Sequence, residues 1–268
     1  MVSVVIPTYN AGKYLSEAVH SALVQDVELE VIIVDDASTD GSPEMLFDYL
    51  KKIGYVATSC ISEDFLCHVS GRVVRVRIIT NSKNIGVAQS RNKGVMAAEG
   101  EYIAYLDADD IWLKGKLKRQ IKLLEKTAAP LCNTARELIN QSGESMRITI
   151  PTPDIITLRD LERTNYINCS SVLIKREIAL KYLMEHSDAH EDYLTWLRIL
   201  KDYQSVVGIN VPLLKYRMLH NSKSGSKLKS AKMTYRTYCY AGYGKLKAMR
   251  MMVSYTINGI KKYNSKKL

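Results

Sequence analysis

Two short acidic clusters are the residues of this chain best placed to do chemistry. Asp107-Ala108-Asp109 sets two carboxylates either side of one small residue at the end of an apolar run. Carboxylates this close face one edge and resist joint desolvation unless a cation sits with them. A hard divalent ion such as Mg²⁺ or Mn²⁺, carrying a diphosphate, meets that need, because these ions favour one or two carboxylates plus phosphate oxygens. The same three residues also read as a solvated acidic turn, so their place in the fold has to decide. Glu191-Asp192, after His190, opens a helical stretch. Acidic residues are favoured at the positive end of a helix, and a carboxylate there also suits a general base that deprotonates a hydroxyl nucleophile. The pattern leaves both readings standing. His220 to Gly225 strings hydroxyls, a lysine and a glycine together, as a phosphate-contacting loop would, or as a plain connector would.

These clusters need a frame. Val2 to Ile6 is short, rich in β-branched residues and bounded by Pro7, which predicts a buried strand. Asn10-Ala11-Gly12 then leads into a helix with Leu15, Val19, Ala22 and Leu23 near a 3.6-residue period. Glu30 to Val34 predicts a second strand ending at Asp35-Asp36. Ser42 and Pro43 predict the cap and first position of a second helix. A third strand over Val73 to Ile79, a helix over Val87 to Ala98 and a fourth strand over Tyr102 to Leu106 complete the alternation. Strand and helix in turn, with unbroken apolar strands, predict an α/β fold with a mostly parallel sheet covered on both faces. Ligands of such sheets bind at the carboxyl ends of the strands. Thr8 to Asn10, Asp36 and Asp107 to Asp110 all fall there.

The second half is less regular. It reads as helix over Leu113 to Lys126, extended over Leu131 to Asn140, a turn at Gln141-Ser142-Gly143 and a short strand over Ser170 to Ile174. A helix over Glu191 to Tyr203 and an extended return over Ser205 to Tyr216 follow. Residues 54–72 fit neither period and read as an inserted surface loop or short helix.

Composition excludes several classes. Of 268 residues 46% are hydrophobic and 25% charged, which is globular rather than disordered or collagenous. No apolar window is long enough to span a bilayer, and the opening lacks the basic start and cleavage site of a secretory signal. A cytosolic protein beginning at Met1 is the expectation. The five cysteines form no CxxC pair, and Cys60, Cys67 and His68 lack the paired spacing of a zinc site, so reduced thiols are expected. Neither GxGxxG nor GxxxxGK[ST] occurs, which withdraws support from a dinucleotide fold and a P-loop ATPase. The net charge of +10 is segregated: after Asp202 come 14 Lys or Arg and no acid, against 24 basic and 28 acidic residues before.

VSVVIPTYNAGKYL, VIIVDDASTDGS, NIGVAQSRNKGV, YIAYLDADD, HEDYLTWLRIL and YRMLHNSKS follow one another in the order and spacing of bacterial family 2 glycosyltransferases. The resemblance covers roughly residues 1–225, and a tail like YTINGIKKY also ends many members that build O-antigen, capsule or other surface polysaccharides. It implies a GT-A fold, a nucleotide-sugar donor (usually UDP-linked) and inversion at the anomeric carbon. Carried over, it implies that Pro7, Thr8 and Tyr9 border the base and that Asp36 accepts from the uracil ring nitrogen. Arg91 would help hold the nucleotide, Asp107 would contact the ribose, and Asp109 would ligate Mn²⁺ or Mg²⁺ on the diphosphate. Asp192 would be the catalytic base, supported by Glu191. His220 would meet the metal or diphosphate from a closing loop, with Ser222 and Ser224 nearby. Asp35 and Asp110 adjoin assigned carboxylates, so either pair could exchange roles.

The implied organisation is a nucleotide-sugar half over 1–110, an acceptor and catalytic half over 111–225, and a basic tail over 226–268. In the tail, Leu246, Met249, Val253, Ile257 and Ile260 recur at three or four residues among Lys245, Lys247, Arg250, Lys261 and Lys262. A basic helix with an apolar stripe rests at a membrane surface or docks on its own domain, and a lipid-linked acceptor favours the membrane. The expectation is a peripheral protein on the inner face of the cell membrane that does not bind nucleic acid. Two other classes weigh less. A non-catalytic scaffold would have lost one of Asp36, Asp109 or Asp192, and a nucleotidyltransferase would open with a glycine-rich basic loop where Pro7-Thr8-Tyr9-Asn10 stands.

Overall fold

The computed structural model describes residues 1–53, 55–57, 64–69, 72–219 and 227–264. The chain runs β1 (Val2–Thr8), α1 (Tyr14–Leu23), β2 (Leu29–Asp35), α2 (Ser42–Lys52), β3 (Tyr55–Ala57), β4 (Asp64–Val69), β5 (Arg72–Thr80), α3 (Val87–Ala97) and β6 (Tyr102–Tyr105). It continues through β7 (Ile111–Trp112), α4 (Lys116–Thr127), β8 (Leu131–Ile139), β9 (Ser145–Ile150), β10 (Ile155–Thr157) and α5 (Leu158–Arg163). After a single 3₁₀ turn at Cys169–Ser171 come β11 (Leu173–Lys175), α6 (Arg176–Lys181), α7 (Glu191–Asp202), β12 (Ser205–Arg217), α8 (Lys227–Tyr240) and α9 (Lys245–Asn264).

All twelve strands join one mixed sheet, ordered β10-β12-β8-β11-β6-β1-β2-β5-β4-β3, with β7 on β12 and β9 on β8. The parallel run expected from the sequence is its centre, β6-β1-β2-β5. Its flanks are largely antiparallel, except that β12 runs parallel to β8. Alternate residues of β1 feed two cores, as a strand period of two requires. Val2, Val4 and Ile6 pack with α1 and α2, while Val5 joins Ile32, Val34 and Val95 of the opposite layer.

Three expectations need correction. The described parts of the insertion are strands: β4 and β3 extend the sheet edge, with β4 antiparallel to β5, and the rest of 54–72 lies outside the described residues. The reason lies in the edges of β5: β2 pairs with one of them, and the β-prone Phe65-Leu66-Cys67-His68-Val69 run pairs with the other. Ser42 is not the helix cap: Gly41, at φ 78°, holds the cap position. The Ser42 hydroxyl instead accepts from the Gly12 N–H at 2.8 Å, tying the loop after β1 to the loop after β2. The first part of the segment read as a strand over Ser170 to Ile174 is the 3₁₀ turn.

Close approach sets the position of α3. A Cβ on Gly94 would fall 2.4 Å from Cγ1 of Val5, so glycine lets this helix lie directly on β1. One turn earlier it carries Arg91. The tail is two helices, broken at Gly242 with φ 85°. Its tyrosines mostly point inward: the buried hydroxyls of Tyr238 and Tyr193 lie 2.8 Å apart, and Tyr255 stacks near Tyr193 at 5.6 Å. α9 docks through Ala248, Met251 and Tyr255. Met252 packs beside them, while Leu246 is 83% exposed and Met249, Val253 and Ile257 are each 49% exposed.

Candidate active site

Arg91 is the junction of the site. It leaves α3 almost wholly buried and joins the end of β6 to the start of α7. Its guanidinium donates to Asp107 Oδ1 at 2.6 Å and to Glu191 Oε1 at 3.1 Å. Burial alone would weaken its charge, but Asp107 and the α7 carboxylates hold it protonated far beyond neutral pH. Both carboxylates are therefore oriented by one cation, and Glu191 is committed to that pair.

The turn after β6 separates its three acids. Asp107 faces Arg91. Asp109 lines the same cavity but carries no ion pair or side-chain partner outside its own residue among the described residues. Burial, and then the Asp107 charge, push its carboxyl up to about 6. Asp110 turns away: it is 1% exposed and accepts from the Arg217 N–H at 3.0 Å. Arg217 fixes the turn from β12, donating through Nε to the Asp109 carbonyl at 2.8 Å and through Nη2 to Glu17 at 2.6 Å. Asp109, rather than Asp110, is thus the carboxylate open to a ligand. A raised carboxyl beside a second one is relieved by a cation, and hard oxygen donors suit Mn²⁺ or Mg²⁺, so these residues fit the implied metal.

The ends of β1 and β2 form the other wall. Asn10 adopts φ 51° and its side chain accepts from the Thr39 N–H at 2.8 Å. That lacing leaves Tyr9 half exposed over the cavity. Asp36 is buried, and three of its lone pairs are used: Oδ1 accepts from Asn81 and from the Ile85 N–H, Oδ2 from the Gly86 N–H. A carboxylate so held keeps capacity for one further donor. Asp35, the neighbour that could have exchanged with it, accepts from the Ser38 N–H and lines no described cavity.

Placement follows. Pro7, Tyr9, Arg91, Asp107 and Asp109 share a cavity of about 490 Å³ with Glu191 and Asp192. Thr8 and Asp36 line an adjoining cavity of about 330 Å³, which also touches Pro7 and Tyr9. A third, of about 370 Å³, meets the first at Asn168, His190, Asp192 and Tyr216. Asp192 lies on that shared wall, at the N-terminus of α7, accepting from the Tyr193 N–H at 2.7 Å. Burial, and then the adjacent Glu191 charge, push its carboxyl upward. His220, Ser222 and Ser224 lie outside the described residues.

Several wall residues escaped the motifs. His190 donates its backbone N–H to Thr237 of α8 at 3.1 Å and was visible only as the neighbour of Glu191. Tyr14 and Met233 also line the first cavity, and Met233 comes from the tail. Asn168 is delivered by the loop before the 3₁₀ turn, which no spacing announced.

A nucleotide-sized cavity at the ends of parallel strands, with carboxylates on two sides, is the plan of a GT-A glycosyltransferase. The family model described as glycosyl transferase family 2 matches residues 3–183, and the chain belongs to that family. It is 34% identical over 98% of its length to TuaG of Bacillus subtilis, named as a teichuronic acid biosynthesis glycosyltransferase, covering 97% of that protein. It is 28% identical to WfgD of Escherichia coli, over 98% of this chain and 95% of the relative. WfgD is named UDP-Glc:alpha-D-GlcNAc-diphosphoundecaprenol beta-1,3-glucosyltransferase. Among solved structures, S. aureus TarS 1–349 in complex with UDP-GlcNAc superposes with a TM-score of 0.65 at 17% identity, covering 98% of this chain and 72% of that one. Mannosyltransferase PcManGT of Pyrobaculum calidifontis, in complex with GDP-Man and Mn²⁺, gives 0.63 at 18%, covering 94% and 68%. These last two establish the fold.

Proposed function

We propose that this glycosyltransferase moves a sugar from a UDP-sugar to a hydroxyl of a lipid-linked glycan during surface-polysaccharide assembly, with inversion. The observation that carries the reading is Asp192, the one carboxylate on the wall between the cavity of Asp107 and Asp109 and the cavity behind it. The base and ribose lie against Pro7, Thr8, Tyr9, Asp36 and Asp107. Arg91 keeps Asp107 and Glu191 in place. Asp192, its proton affinity raised by burial and then by the Glu191 charge, accepts the acceptor hydroxyl proton as the oxygen attacks the anomeric carbon and the bond to the diphosphate breaks. Asp109 would hold Mn²⁺ or Mg²⁺, which would supply Lewis-acid neutralisation of charge on the leaving diphosphate. His220, Ser222 and Ser224 are assigned to that same group by the family resemblance alone.

The tail supports membrane contact. Among the described residues no helix is long and apolar enough to cross a bilayer. The outward stripe of Leu246, Met249 and Val253 lies among exposed Lys245, Lys247 and Arg250, an arrangement suited to an anionic lipid surface. TuaG and WfgD carry names from cell-surface glycan synthesis, which agrees with work at the cytoplasmic face of the membrane.

The test is thermal stabilisation by UDP, GDP and CMP with and without Mn²⁺. A ligand at a hundred times its Kd adds about 2.7 kcal/mol. UDP with Mn²⁺ is expected to stabilise the wild type and Asp192→Asn alike, and Asp109→Ala weakly or not at all. Transfer by Asp192→Asn should fall by roughly 10²–10⁴. Retained turnover removes Asp192 from the base role, and a preference for GDP overturns the donor.

A further inference from the structure

Three arginines are buried among the described residues, and two of them are paired with carboxylates. Arg91 holds two carboxylates, and Arg217 holds one carboxylate and two carbonyl oxygens. The third, Arg136, is 8% exposed and has no ion pair and no side-chain hydrogen bond among the described residues. Its Nε is buried without a partner, and its one contact of any strength is the Tyr216 ring, 5.7 Å from Cζ. Much of this guanidinium is withdrawn from water without an anion, and a single cation–π contact offsets only part of that cost. The arginine is fixed there by the sheet, since β8 pairs with both β12 and β9 at this residue.

Arg136 lines the third cavity, which reaches from Asp192 to Tyr255 and Gly259 of α9. Asn168 offers a second unpartnered atom, its buried Oδ1, on the wall with the first cavity. A molecule occupying this space lies on the far side of Asp192 from Asp107 and Asp109, where the donor diphosphate is assigned. We infer that this cavity is the acceptor subsite for a sugar diphosphate: the reacting hydroxyl meets Asp192, and Arg136 binds a phosphate bidentately through the planar fork that suits phosphate oxygens. The inference rests on the assignment of Asp192 to the transfer, and gives that transfer an acceptor whose first sugar is joined directly to phosphate. The phosphate supplies the anion that Arg136 lacks in the protein alone.

The probes are N-acetylglucosaminyl diphosphate bearing a short alkyl chain, the matching alkyl N-acetylglucosaminide, and an alkyl glucuronide. Binding of each to the full chain is titrated with UDP and Mn²⁺ present, for wild type, Arg136→Lys and Arg136→Gln. The diphosphate should bind wild type about tenfold or more tightly than the plain glycoside, as a charge-assisted pair implies. Arg136→Gln should lose that preference and Arg136→Lys should keep part of it. The UDP response, measured in the same samples, should be unchanged in both variants and reports that they are folded. If Arg136→Gln retains the preference, or wild type has none, the subsite is wrong while a normal UDP response leaves the donor reading intact. Arg136-dependent preference for the glucuronide overturns the phosphate in favour of a carboxylate. Loss of the UDP response in wild type would instead strike the donor reading itself.

Discussion

Replacing Asp109 by asparagine should stabilise the metal-free protein while destroying its response to the metal. Folding moves this carboxyl from its ordinary 3.8 to about 6. At 1.36 kcal/mol per pH unit, that shift corresponds to about 3 kcal/mol. Water in an open cavity screens part of it, leaving about 1–2 kcal/mol as the working figure. The sign follows from where the proton is held. Below 3.8 both states bind it, between 3.8 and 6 only the folded state does, and above 6 neither does. The residue therefore favours folding at low pH, and that contribution disappears as pH rises through 6. Asparagine never carries the charge, so the gain of Asp109→Asn should be complete above about pH 7 and shrink toward zero near pH 4. In a chain of this size each 1 kcal/mol moves Tm by roughly 2–4 °C. Melting in chelator from pH 5 to 8 reads the difference directly, and Mn²⁺ should then raise Tm with UDP in wild type alone. A variant no more stable than wild type at pH 7.5, or a gain independent of pH, refutes the electrostatic account of this turn.

Two further outcomes are expected. Gly94→Val sets methyl groups against Val5 and should cost about 1–3 kcal/mol as overpacking, seen as a lower urea midpoint; the UDP response should weaken with it because Arg91 rides on the same helix. Normal stability would mean that α3 does not rest on β1 as described. Replacing Leu246, Met249 and Val253 together by serine should reduce sedimentation with phosphatidylglycerol vesicles while leaving the UDP response intact; undiminished sedimentation would remove the outward face of α9 from membrane contact.

The parts of the site built at strand ends were legible because the chain announces a buried strand and its polar terminus in consecutive residues. Val2 to Ile6 before Pro7-Thr8-Tyr9, and Tyr102 to Leu106 before Asp107, are such pairs. Which of two adjacent acids faces the ligand was not legible. Asp109 and Asp110 are told apart by Arg217, more than a hundred residues away in sequence. Arg136 and Asn168 stand in no motif, and only the sheet and the loop before the 3₁₀ turn bring them to Asp192. The edge strands were missed because Tyr55 to Ala57 and Asp64 to Val69 are short runs whose pairing with the free edge of β5 no local period announces. In α9 two apolar faces share one period. Pattern favours the larger aliphatic side chains, whereas packing against Tyr193 selects Ala248, Met251 and Tyr255.

The position of α8 bears on how such enzymes could exchange parts. Met233 lines the first cavity, Thr237 receives the backbone N–H beside Glu191, and Tyr238 meets Tyr193, the residue after Asp192. A chimera joined near residue 226 would therefore replace a piece of this cavity wall with the other enzyme's residues along with the tail. A seam placed after Tyr240, in the break around Gly242, would leave that wall native and exchange α9 alone. Recombination at that seam would alter the outward face of α9, together with the far edge of the cavity behind Asp192 where Tyr255 and Gly259 stand, and would leave the residues around Asp107 and Asp109 as they are.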